Sequence, residues 1–219
     1  MANSHDPRCR QCRREGAKLY LKGDKCFTKC TLEKTSKDGK TRWRDKPPGM
    51  HGAPAFQRKI TEYGQQLREK QKLRRIYRVL ENQFRNYLDE ALRRPGVTGE
   101  NLLQLLETRL DNVIYRLGLA SSRAQARQMV SHRHFTVNGG RVNIPSYILK
   151  PGDVVGVHES MFSSGAIKEA RERIHTRRGV PEWLDFNAQT LEGRVVAMPT
   201  RDQIDTNVRE QLIIEFYSR

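Results

Sequence analysis

Few backbone solutions are open to SSRAQARQMVSHRHFTVNGGRV, the stretch from Ser121 to Val142. Its Asn138-Gly139 pair suits a tight turn that needs positive φ, so FTVNGGRV predicts a strand, a turn and a strand. Ahead of the hairpin, Ser121 or Ser122 can accept a backbone N–H and cap a helix. That helix is expected to bury Ala126, Met129 and Val130 and to hold Arg123 and Arg127 on a shared side. Further upstream, Leu102, Leu106, Leu110, Val113 and Leu117 stay on one face at about 100° per residue, which predicts an amphipathic helix from Leu102 to Leu117. Arg109, Asn112 and Arg116 fall on one flank of it. Downstream, LKPGDVVGV predicts another turn and an apolar strand.

Helices followed by a hairpin would gather Arg123, Arg127, His132, Arg133, His134, Asn138 and Arg141 on a compact surface. Guanidinium meets phosphate in bidentate geometry, and the amides at a helix start favour anions. The charge of the whole chain agrees with an anionic ligand. Over 219 residues the formal net charge is +16; residues 1–100 carry 25 basic and 12 acidic side chains, residues 101–219 only 16 and 13. A half this basic repels itself unless a polyanion neutralises it. A hydrophobic fraction of 36% and a mean hydropathy of -0.79 leave a modest core. No stretch nears the roughly 18 apolar residues of a membrane span. MANSHDPRCRQC lacks the apolar core of a signal peptide. A cytoplasmic nucleic-acid binder is therefore expected, with no membrane and no small-molecule substrate.

The flanks are more helical and more basic. From Glu62 to Arg94 the pattern is helical, with Leu80, Phe84, Tyr87, Leu88, Ala91 and Leu92 at three- and four-residue spacing. Arg68, Lys70, Lys72, Arg74, Arg75 and Arg78 crowd one short stretch of it against a single acid, Glu69. Glu33 to Lys46 reads as an exposed basic loop that includes Arg44, with Trp43 as a small anchor or a base-stacking platform. PPGMHG, which contains His51, reads as an ordered bend or linker. After His158, SSGAIKEARERIHTRRG predicts a capped, charged helix. Val195 to Met198 and Leu212 to Phe216 read as short strands or as segments packed against the core.

TRLDNVIYRLGLASSRAQARQMVSHRHFTVNGGRVNIPSYILKPGD resembles the S-four RNA-binding module, two helices followed by a β-hairpin segment, across about Glu107 to Val157. QQLREKQKLRRIYRVLENQFRNY, PPGMHG and REQLIIEFYSR extend the resemblance over nearly the whole chain, to the bacterial-type small-subunit ribosomal protein S-four family. The resemblance implies an α+β protein in four parts. These are a cysteine-bearing, zinc-knuckle-like segment and loop (1–46), a helical domain (47–106), an inserted S-four module (107–172) and a C-terminal segment packing back on the helical domain (173–219). It implies a constituent of the small ribosomal subunit that binds small-subunit rRNA of the five-prime domain, nucleates assembly of the subunit body and contributes to translational accuracy. Ribosomal protein S-five, other small-subunit proteins and mRNA near its entry path are the implied neighbours. Candidate RNA contacts are Arg8, Arg10, Arg13, Arg14, Lys22, Arg44, His51, Arg68, Lys70, Lys72, Arg74, Arg75, Arg78, Arg109, Arg116, Ser122, Arg123, Arg127, His132, Arg133, His134, Asn138 and Arg141.

Cys9-x-x-Cys12, thirteen intervening residues and Cys26-x-x-x-Cys30 make a tetrahedral thiolate site for one structural Zn²⁺, with an iron–sulfur cluster, a redox pair or unliganded thiols as the alternatives. Arg8, Arg10, Arg13 and Arg14 are expected to lower the thiol pKa values. A knuckle of this kind would fold a segment too poor in apolar side chains to fold alone. Metal-binding members of the family resemble the arrangement, although their last pair is often spaced one residue wider.

No catalytic pattern emerges. There is neither a Gly-x-x-x-x-Gly-Lys loop nor a Gly-x-Ser-x-Gly elbow. His158-Glu159 begins like a zincin, but position 162 is Phe. An RNA-modifying enzyme of the pseudouridine synthase kind is the alternative reading, since Thr108-Arg109-Leu110-Asp111 is similar to its aspartate motif. Asp111, however, lies inside the module's first helix, where an acid beside Arg109 is structural, and the 61 residues after His158 are short for a catalytic domain. A zinc-dependent DNA-binding regulator would need a recognition helix beside the cysteines, where the sequence reads as loop.

Overall fold

The computed structural model describes residues 6–35, 41–43, 46–50, 52, 59–165, 167–170 and 179–218. Its helices run in the order α1 (Arg8–Glu15), α2 (Lys25–Thr28), α3 (Glu62–Tyr77), α4 (Glu81–Arg93), α5 (Thr98–Glu107), α6 (Leu110–Arg116), α7 (Arg123–Ser131) and α8 (Glu210–Tyr217). Its strands are β1 (Glu33–Thr35), β2 (Thr41–Trp43), β3 (Phe135–Val137), β4 (Gly140–Val142), β5 (Val154–Val157), β6 (Leu184–Asn187) and β7 (Glu192–Val195). Helices with an antiparallel sheet make the fold α+β, as expected. Two compact units divide the chain: Met1–Asn86 with Thr206–Arg219, and Tyr87–Asp205. Among the described residues no helix is long and apolar enough to cross a membrane.

In the first unit, α3 starts where Thr61 Oγ1 accepts the Gly64 N–H at 3.2 Å. It stops at Arg78, whose left-handed φ of 55° turns the chain before α4 begins. The single helical pattern expected from Glu62 to Arg94 is therefore two helices. A backbone reversal at one residue leaves the apolar period untouched, so periodicity could not report it. α8 packs along α3. Tyr63 and Phe216 meet at 5.4 Å between ring centroids, Gln66 Nε2 donates to Glu215 Oε2, and Ile213 is fully buried. The segment Leu212 to Phe216, expected as a strand or a packed segment, is thus helical. β1 and β2 pair antiparallel with Glu33 opposite Trp43, so part of the expected basic loop is a hairpin. The Trp43 side chain lies outside the described residues.

In the second unit, one five-stranded antiparallel sheet has the order β4-β3-β5-β7-β6. Its inner face presents Phe135, Val137, Val155, Val157, Leu184 and Val195 to the apolar sides of α6 and α7, where Leu110, Val113, Ile114, Ala126 and Val130 are fully buried. The Asn-Gly turn behaves as its residues require, with Asn138 at φ 50° and Gly139 at φ 79°. At Gly193 β7 passes against Leu117, the residue that follows α6. A Cβ there would lie 2.4 Å from Leu117 Cδ1, inside van der Waals contact. Residues 165 and 167–170 are helical, and residues 171–178 of the expected charged helix lie outside the described residues.

Between Thr108 and Leu110 the expected continuous helix breaks. Arg109 is extended (φ -63°, ψ 138°) and forms an isolated antiparallel bridge with Ile148. The Leu110 N–H reaches Tyr147 O at 2.8 Å, and the Leu149 N–H reaches Thr108 O at 2.9 Å. The loop from Asn143 to Leu149 therefore supplies the hydrogen bonds that a continuing helix would have made. Leu102 to Leu117 keeps its apolar period because α5 and α6 both bury their stripes.

Candidate nucleic-acid interface

The second unit divides its arginines into two sets. Arg109 is 1% exposed and Arg127 6%, both on the carboxylate of Asp111. Arg109 donates from Nε to Oδ1 at 3.0 Å and from Nη2 to Oδ2 at 2.8 Å, and its Nη1 donates to the Tyr87 hydroxyl at 2.6 Å. Arg127 Nη1 donates to the same Asp111 Oδ2 at 3.3 Å. Burial works against the Arg109 charge, but Asp111 and Tyr87 more than restore it and its pKa rises.

A second network surrounds Glu107, which is wholly buried. Arg116 grips it bidentately, Nε to Oε2 at 2.9 Å and Nη2 to Oε1 at 2.6 Å. Asn112 Nδ2 donates to Glu107 Oε2 at 2.6 Å, while Asn112 Oδ1 accepts from Arg123 Nε at 2.7 Å. The Arg123 guanidinium also lies over the Tyr115 ring, 4.6 Å from its centroid. Ser122, buried, caps α7 by accepting the Gln125 N–H. Four expected contact arginines and Ser122 are thus tied into the scaffold, with Arg109 and Arg127 withdrawn from the surface. The acids that bind them, Glu107 and Asp111, stand before the basic stretch in sequence and are brought beside α7 by the fold.

What this unit displays is the surface set. His132, Arg133 and Arg141 are exposed and His134 partly so. The rings of His132 and His134 lie 5.7 Å apart, and Arg141 Nη2 meets His158 Nδ1 at 2.9 Å. His158, read from sequence only as a failed zincin start, belongs to this group. Burial, then the charges of His132, Arg141 and His158, push the His134 pKa down. Asn138 is engaged locally, its Oδ1 accepting the Val154 N–H and its Nδ2 donating to Asp153.

In the first unit the cations line a cleft between α1 and the end of α3. Arg8, Arg74, Arg75 and Arg78 share one part of it. Arg10, Arg14 and Arg75 line an adjoining hollow of about 350 Å³. Glu15, its side chain 2% exposed, pairs with Arg75 and with Arg68 (3.4 Å) and so fixes one wall. Burial raises the Glu15 pKa against the pull of both arginines. Other expected contacts are engaged inside the unit. Lys70 is buried on Glu81 at 2.8 Å, Lys72 reaches Glu69 at 3.6 Å, and Arg13 Nη2 donates to Lys46 O at 3.3 Å. Arg44 and His51 lie outside the described residues.

Cys9, Cys12, Cys26 and Cys30 all line one pocket, rimmed by Arg8, Lys22, Lys25 and Lys29. Cys26 Sγ accepts the Lys22 N–H at 3.3 Å. The donor chemistry suits a thiophilic ion, although among the described residues no three metal-ligating side chains form a ready group. At Cys12 and Cys26 the thiol pKa is raised, where nearby arginines were expected to lower it. Burial pushes Cys12 up to about 11, against the backbone hydrogen bond at Leu19 and with further upward pressure from the other three thiols. Cys26 is raised as well, by burial first.

Fold and surfaces together define a basic α+β protein of the nucleic-acid-binding class, in which one set of arginines builds the scaffold and another faces outward. Residues 3–107 match the ribosomal protein S4/S9 N-terminal domain and residues 108–155 match the S4 domain. The chain is 58% identical over 212 residues to small ribosomal subunit protein uS4 of Pelotomaculum thermopropionicum, covering 96% of each. It is 56% identical over 220 residues to the uS4 of Desulforamulus reducens and 54% identical to uS4A of Alkaliphilus metalliredigens, covering 100% of each chain in both cases. The chain belongs to the small ribosomal subunit protein uS4 family.

Proposed function

We propose that this chain is a non-enzymatic, structural constituent of the small ribosomal subunit in the cytoplasm and binds small-subunit rRNA. Identity along the whole chain with proteins named for that subunit carries the reading. The outward-facing cations of each unit support it chemically, because they can replace counterions along an RNA backbone. A-form grooves hide base edges, so recognition rests on shape, phosphates and 2′-hydroxyls. The finer reading is a primary binder of the five-prime domain that nucleates the subunit body and contributes to accuracy, beside ribosomal protein S-five and incoming mRNA.

Filter binding against small-subunit rRNA, an unrelated RNA and duplex DNA in matched salt tests this. Binding should favour the rRNA and weaken with salt at a log-log slope of about -0.7 to -0.9 per phosphate contact. Equal affinity for all three nucleic acids, or failure to co-sediment with the small subunit, would overturn it.

One structural zinc on Cys9, Cys12, Cys26 and Cys30 belongs to the same proposal, supported by the four thiols that share a pocket. The ion would supply thiolate ligation energy to a segment with few apolar side chains. Purified protein should contain about one equivalent of zinc. Less than about half an equivalent of any metal removes the assignment, and iron in its place would indicate a cluster.

A further inference from the structure

On the outer face of the second unit's sheet, strand alternation sets side chains of one parity toward solvent. At the β4-β3-β5 end this face carries Arg141, His134 and His158, with His132 and Arg133 at the adjoining end of α7. Three of the chain's six histidines are therefore gathered with two arginines. Acids near this end are Glu159, next to His158, and Glu192, which sits opposite Gly156 on β7. Arg194 lies opposite Val154, and Asp185 is further away on β6. Among the described residues none of the five cationic or imidazole groups is ion-paired with a carboxylate.

Two local details set this patch apart from a solvated charged face. First, a guanidinium has only donors, so the 2.9 Å contact from Arg141 Nη2 makes His158 Nδ1 an acceptor. The same nitrogen accepts the Ser160 N–H at 3.2 Å. Second, Arg133 occupies a left-handed position (φ 63°) at the end of α7, where glycine would be unstrained. A side chain there is strained.

We infer that His132, Arg133, His134, Arg141 and His158 form a phosphate subsite for RNA that tightens on acidification. This rests on the rRNA-binding reading and adds a specific site and a proton to it. A backbone phosphate entering the patch offsets the mutual repulsion of these clustered groups and favours an imidazolium beside it, so RNA binding and proton uptake reinforce each other. Each imidazolium that neutralises one phosphate adds about 0.7–0.9 to the magnitude of the salt slope.

The test compares the full chain with a His132→Gln/His134→Gln/His158→Gln variant, binding small-subunit rRNA at pH 8.0 and pH 5.8 at constant ionic strength. Native affinity should rise by roughly fivefold or more on acidification, with a steeper salt slope, while the variant changes less than about twofold. In parallel, the imidazole proton resonances of the native chain should titrate at higher pH with RNA bound than without. Identical pH dependence in the two proteins, or imidazole midpoints unmoved by RNA, would sink the subsite while leaving rRNA binding intact. Absence of rRNA binding at both pH values would remove the subsite and the underlying reading together.

Discussion

Asp111→Asn removes one negative charge from between two guanidinium groups while keeping the shape of the side chain. The native carboxylate accepts three hydrogen bonds, two from Arg109 and one from Arg127. The three side chains are 5%, 1% and 8% exposed, so water cannot replace what is lost. Unit charges 4 Å apart attract by about 4 kcal/mol at an effective dielectric of about 20. Breaking a buried pair from one side costs about 3–5 kcal/mol. Total stabilities are commonly about 5–15 kcal/mol, so the second unit should be severely weakened. Because a chain of two units need not unfold in one step, the probe must be local. Trp183 is buried in that unit, and a Trp43→Phe background leaves it as the single tryptophan. Urea unfolding followed by its fluorescence should show the loss, and the loss should persist at about 1 M salt, where surface pairs are screened. Glu90→Gln, which breaks the exposed Glu90–Arg94 pair, is the control and should cost about 0.5 kcal/mol or less. The salt slope for RNA binding by the folded variant should not change. A loss under about 1 kcal/mol together with a steeper salt slope would mean that these arginines face RNA and would refute the buried assignment.

Gly193→Ala should drive a methyl group into Leu117 and destabilise the second unit by about 1–3 kcal/mol, read as a lower melting temperature. Leu117→Val in the same chain should recover part of it. In the first unit, burial opposes ionisation of Glu81, but hydrogen bonds from Lys70 and Tyr217, with Arg74 nearby, hold its pKa below the usual carboxylate range. A group depressed on folding stabilises above its unfolded pKa, about 4.3 for Glu, and that contribution is lost as pH falls through the folded value. Acid unfolding of the first unit should therefore be less steep in Glu81→Gln than in the native chain, and equal steepness would refute the assignment.

Local chemistry was the legible part of the fold. Asn138-Gly139 fixed the hairpin because few other pairs accept positive φ twice, and Ser122 fixed the start of α7 through its cap. Breaks that leave hydrophobic period intact were invisible. Arg78 and Arg109 each interrupt a helix while the apolar residues on either side keep a helical spacing, and the partners that stabilise the second break, Tyr147 and Ile148, lie almost forty residues away. Leu212 to Phe216 is a run too short for period alone to decide. Its helical form is set by packing against α3, where Ile213 is buried and Phe216 meets Tyr63.

The site was legible as a charge and illegible as a partition. Sequence shows that Arg109, Arg116, Arg123 and Arg127 lie near one another, but exposure depends on where Glu107 and Asp111 end up. Both acids sit at the α5–α6 break, the feature that periodicity concealed, so an error about backbone became an error about which cations face out. Replacing buried ion pairs by apolar residues is often neutral or stabilising. Stability alone therefore gives no reason for a chain of net charge +16 to hold four arginines on internal carboxylates and amides. Geometry does give one. A guanidinium held bidentately has a fixed plane, and Glu107 reaches Arg123 through Asn112, so the partly exposed Arg123 is oriented before any ligand arrives. Side-chain ordering costs about 0.5–1.5 kcal/mol per immobilised rotamer-rich residue on binding, and the internal acids remove part of that cost in advance. It follows that Asn112→Ala, which removes the hydrogen bond on Arg123 Nε and leaves its contact with the Tyr115 ring, should weaken rRNA binding without flattening its salt dependence, whereas Arg123→Gln should do both. If the two variants bound alike at every salt concentration, orientation would have no role.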